Sequence, residues 1–134
     1  MRKLFAVCLT LALLGTVAYA AKKFPMTAAS AVPAARGAVE IDKDKNGNTR
    51  LKMTVQHLAP LENLTPAAAA YVVWFQERGG NSGNQGQLKV DKNLNGTFET
   101  VTPMKSFDVF VTAEQEASVK EPRGAQILTA TIQP

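Results

Sequence analysis

Metal and thiol chemistry need side chains that this sequence hardly has. Its 134 residues hold one cysteine and one histidine. A lone histidine cannot assemble the multi-ligand sets of zinc and copper sites, which excludes dismutase-like and cupredoxin-like functions. His57 has no recognisable partner and reads as a strand-end residue flanking a loop. No G-x-S-x-G elbow marks a nucleophile. Long apolar runs are also scarce: the one from Leu4 to about Val17 is shorter than the roughly 20 residues that cross a bilayer comfortably.

That first run has a function of its own. Arg2 and Lys3 precede it and Ala18-Tyr19-Ala20 follows it, the arrangement of a secretory leader with an A-x-A cleavage signal. Cleavage is expected between Ala20 and Ala21, with retention as an anchor the alternative. Removing 20 residues from 134 leaves 114, enough for one domain. Loss of Arg2 and Lys3 lowers the formal charge from +4 to +2, too little for a nucleic-acid footprint. Cys8 leaves with the leader, so the exported domain must hold together without disulfides. The expected product is periplasmic or secreted, with no membrane span after cleavage. Residues 21–37, rich in Ala, Pro, Ser and Thr, lack a period and read as a mobile or extended lead-in to a domain over 38–134.

From Ala38 onward the pattern alternates. Val39 and Ile41 alternate with Glu40 and Asp42, and Leu51, Met53 and Val55 alternate with Lys52, Thr54 and Gln56, which is the period of half-buried strands. Asn46-Gly47 between them suits a tight hairpin turn. Pro60 and Pro66 mark a crossover loop before Ala70–Gln76, the longest apolar run of the domain and the one holding the only tryptophan. Gly79–Gly86 reads as a flexible polar loop. Leu88 and Val90, then Thr97–Val101 after a second Asn-Gly turn, form another hairpin. Phe107–Thr112 and Leu128–Ile132 complete the set, with the charged stretch Glu114–Gly124 as a long loop.

Seven strands with almost no helical period predict an all-β protein: a seven-stranded antiparallel immunoglobulin-like sandwich after a cleaved signal helix, with a barrel as the alternative. Within Ala70–Gln76 the expected inward set is Val72 and Trp74. Tyr71, Val73 and Phe75 then point outward, where either the rest of the chain covers them or they form a partner face.

Several motifs resemble one family. Tyr71-Val-Val-Trp-Phe75, Gly86-Gln-Leu-Lys-Val-Asp91 before an Asn-Gly turn, and Phe107-Asp-Val-Phe-Val-Thr-Ala-Glu114 with a later Pro122-Arg-Gly124 look like the C-terminal extracytoplasmic domain of anti-sigma-K factors. The resemblance spans roughly residues 38–132. It implies an extracytoplasmic β-sandwich of a bacterial envelope with a protein-binding or sensing role. The family's cytoplasmic sigma-binding domain and membrane helix have no counterpart in this sequence.

Two loops offer the remaining chemistry. Asp42, Asp44, Asn46 and Asn48, and Asp91, Asn93 and Asn95, place oxygens at every second position ahead of or around a glycine, as in the first half of a calcium loop. The bidentate glutamate of the twelfth position is missing, since Met53 and Thr102 stand there, and Lys43, Lys45 and Lys92 add positive charge. Polar hairpin tips are the expectation and a weak calcium site the alternative. Glu114, Glu116 and Glu121 are interleaved with Lys120 and Arg123 and read as a solvated loop, and Asp108 as a surface residue. The expected function is therefore non-enzymatic, without a cofactor: protein binding or structural support in the envelope, with a calcium- or small-ligand-binding accessory module as the alternative.

Overall fold

The computed structural model describes residues 21–134, so the expected leader lies outside the described residues. The domain is all-β and antiparallel. Its nine strands are β1 Lys22–Ala28, β2 Arg36–Lys43, β3 Thr49–Gln56, β4 Ala70–Gln76, β5 Gly83–Gln87, β6 Lys89–Val90, β7 Gly96–Thr102, β8 Phe107–Glu114 and β9 Ala125–Ile132. A single 3-10 turn, Leu61–Asn63, lies in the crossover between β3 and β4.

The hydrogen-bonded order is β5-β4-β8-β9-β1-β2-β3-β7-β6. Its two end strands, β5 and β6, are separated in the chain by Leu88 alone, so the order returns on itself and the sheet is barrel-like. Leu88 turns this corner with its amide bonded to the Tyr71 carbonyl at 2.9 Å and its side chain buried. Gly96 lies directly beneath it; a Cβ there would come within 2.7 Å of Leu88 Cδ2. A second corner is β1, which pairs with β2 from Lys22 to Met26 and with β9 at Thr27 and Ala28. The expected seven strands are thus nine.

Both added strands lie where side-chain patterning is silent. β1 carries Pro25, tolerated because each part of β1 pairs on one side only. Residues 21–37, expected to precede the domain, contain β1, a turn over 30–34 and the start of β2 at Arg36. Phe24 packs on the core, and Val32 and Ala35 are buried in it. β5 is Gly-Asn-Gln-Gly-Gln, a strand without an apolar residue, held by its backbone ladder to β4.

The core fills the inside of this sheet. Leu51, Met53 and Val55 of β3 meet Tyr71, Val73 and Phe75 of β4 and Phe107, Val109 and Val111 of β8. Phe75 and Phe107 are 4.8 Å apart between ring centres. The expected orientation of β4 is therefore reversed. Its pairing with β8 sets Phe75 opposite Val109 and Val73 opposite Val111 inside, and Trp74 opposite Phe110 and Val72 opposite Thr112 outside. With a period of two, one residue of phase exchanges the faces of the whole strand. Tyr71, Val73 and Phe75 are core residues, 2% exposed or less, and present no surface to a partner.

Candidate functional site

The hairpin tips are two copies of one structure. Asp44 Oδ1 accepts the amides of Asn46 and Asn48, each at 2.9 Å, and Asp91 Oδ1 accepts those of Asn93 and Asn95 at 2.9 and 3.0 Å. In each tip the fourth residue is left-handed: Gly47 at φ 78° and Leu94 at φ 62°. The equivalent residues are thus Asp44 with Asp91 and Gly47 with Leu94, a register two residues away from the calcium-loop alignment. Asp42 lies outside the tip, on β2, with Arg50 Nε at 3.5 Å from its Oδ1.

Nor do the two tips come together. β3 pairs with β7 from Thr49 opposite Thr102 to Val55 opposite Gly96, which puts tip 44–48 at one end of the pair and tip 91–95 at the other. The Asp oxygens are directed at their own loop amides, and among the described residues no three His, Cys, Asp or Glu side chains gather as a metal site. Desolvation works to raise the Asp44 carboxyl. The amides of Asn48 and Asn46, the Asn48 side chain and the Arg50 charge outweigh it and hold the group below the usual carboxylate value.

The outer face of β1, β2, β3 and β7 is a solvated charge ladder. Lys23, Glu40, Lys52 and Glu99 are successive cross-strand neighbours of alternating sign, with Lys52 Nζ 3.8 Å from Glu99 Oε1. His57 ends β3 with a left-handed backbone at φ 59°, exposed. Asp108 is at the surface, accepting the Thr131 hydroxyl at 2.8 Å.

The opposite face is built differently. Ala70, Val72 and Trp74 form a second apolar cluster, separate from the core, with Phe110, Ala117 and Val119 packed on it. Trp74 and Phe110 stack at 6.3 Å. The Trp74 indole N–H donates to Thr112 Oγ1 at 2.8 Å, and the Thr112 hydroxyl donates to Glu114. Both Glu114 oxygens also accept the amides of Arg123 at 3.2 Å and Gly124 at 3.0 Å. Glu114 is 2% exposed, a correction to its reading as a solvated loop residue. The alternation Asp108-Phe110-Thr112-Glu114 was its signal, since it continues one face of β8 to the last residue of the strand.

Segment 115–124 runs across this cluster. Asn84 Nδ2 of β5 donates to the carbonyls of Ala117 at 2.9 Å and Val119 at 2.8 Å, and Gln115 donates to Ala67 O. Between this segment and the β3–β4 crossover lies a cleft of about 540 Å³. Leu64, Pro66, Val119 and Ala125 give it apolar walls, and Glu116 and Arg123 give it charge of both signs.

No protein-family model matches the chain, and no curated protein matches it.

Proposed function

We propose that this protein is a non-enzymatic extracytoplasmic β-domain that binds a protein partner of the bacterial envelope through the cleft between the crossover and segment 115–124. The cleft carries the reading: it joins apolar walls to side chains of both charge signs, the mix that orients a protein or peptide surface. The leader signal supports an exported location. The one buried carboxylate beside the cleft, Glu114, is already engaged by a hydroxyl and two amides, which supports binding in preference to acid–base work. The resemblance to the outer domain of anti-sigma-K factors agrees with this role, and on this reading the barrel-like sheet is the immunoglobulin-like sandwich drawn closed at its corners.

Photo-crosslinking residues placed at Thr65 and at Arg123, one on each wall, test the proposal in the native envelope. Both positions should recover the same partner, while Lys52 on the charge ladder recovers none. A partner captured reproducibly from Lys52 but from neither wall overturns it.

A further inference from the structure

We infer that residues 115–124 are a releasable strap, latched by the Glu114 carboxylate, that lifts from Trp74 while the barrel stays folded. The inference rests on how the strap is held and stands whether or not the cleft binds a protein.

Beneath the strap is an apolar platform that the core does not share, since Val72 and Trp74 belong to the separate cluster. Trp74 is fully buried although it lies on the outer face of the sheet. Its cover contributes only two half-buried apolar side chains, Ala117 and Val119, and every other residue of 115–124 is exposed. Such a small apolar contact resembles the low-stability elements that open by themselves, whereas β4 and β8 are held by ladders and by the core.

The strap is positioned by polar contacts instead. Asn84 holds its middle, and Glu114 holds its far end. At Glu114 three donors converge: the Thr112 hydroxyl and the amides of Arg123 and Gly124. An ionised carboxylate accepts all of them, because it is acceptor-only. A glutamine of the same shape brings its own N–H groups against those donors and leaves at least one unsatisfied. The same chain of bonds reaches Trp74 through Thr112, so the latch and the platform are one network. The strap is also one wall of the cleft, so its release opens that wall and bares Val72 and Trp74 beside Phe110.

Native-state hydrogen exchange on the purified protein reads this directly, with the emission of the single tryptophan as a second signal. The Arg123 and Gly124 amides and the Trp74 indole N–H should exchange at least tenfold faster than the amides of β8. Glu114→Gln should speed those three by a further tenfold or more relative to β8 and shift Trp74 emission to the red. Asn84→Ala, which leaves the buried carboxylate untouched, should speed the same three and serves if the glutamine variant does not fold. Strap and β8 amides exchanging at one rate in the unaltered protein overturn the inference, as does Asn84→Ala failing to separate them.

Discussion

At the scale of single residues, three positions carry sharp expectations. Gly124 has no room for a side chain, since a Cβ would lie 1.6 Å from the Ala113 carbonyl oxygen. Gly124→Ala must shift the backbone that feeds Glu114, and a loss of about 3 kcal/mol or more in urea unfolding is expected. Asp44 titrates lower in the folded protein than the roughly 3.9 of an unfolded chain, so the unfolded state takes up the proton first. Its contribution is present above that value and is lost as pH falls through the folded one. Melting temperatures below about pH 4 should therefore drop more steeply in the unaltered protein than in Asp44→Asn. Because Asp44 and Asp91 already accept two amides each, millimolar calcium should leave the melting temperature unchanged; a rise would restore the calcium reading of the tips. Tyr71 behaves in the opposite sense: burial raises its phenol, whose hydroxyl donates to Ala59 O. That contribution is present below about pH 10 and lost as pH rises through the folded value, and Tyr71→Phe should cost about 1 kcal/mol at neutral pH while removing the alkaline loss.

Among the elements, the ones legible in the sequence were those whose side chains alternate. β2, β3, β7, β8 and β9 bury one face and announce it, so their existence followed from residues such as Val39, Leu51 and Val109, while of their pairings only the β2–β3 hairpin was legible, from Asn46-Gly47. β5 could not be read this way, because Gly83–Gln87 pairs through backbone alone. β4 was legible as a strand and illegible in orientation, because both of its faces are apolar. Only its pairing with β8 separates Trp74 from Phe75, and the register of two distant segments is not written in either one. Phe110, which breaks the polar face of β8, marked the second cluster without saying what lay on it. The latch was hidden for a related reason, since Glu114 meets Arg123 and Gly124 only when the chain doubles back. The hairpin tips show how far local chemistry reaches: the Asp-x-Asn-x-Asn pattern alone sets their amide bonds. Gly47→Ala, forced into the left-handed region, should cost about 1 kcal/mol or slightly more in chemical unfolding.

The whole molecule depends on its corners more than on any one strand. Leu88 is where the sheet closes, packed over Gly96 and bonded to Tyr71. Leu88→Ala should cost about 2–5 kcal/mol, and the loss should appear at β4 and β7 alike in hydrogen exchange. An effect confined to one of the two would mean that the halves of the sheet are stable apart. β1 at the other corner has a consequence for the order of events during synthesis. Thr27 is among the first described residues to be made and its partner Thr129 among the last. A chain growing from its N-terminus holds its first strand ready for almost its whole length before the ninth exists to receive it. The domain can complete itself only after the final strand arrives, so an unfinished chain is an open one, still threadable, and truncation before Thr129 leaves it that way.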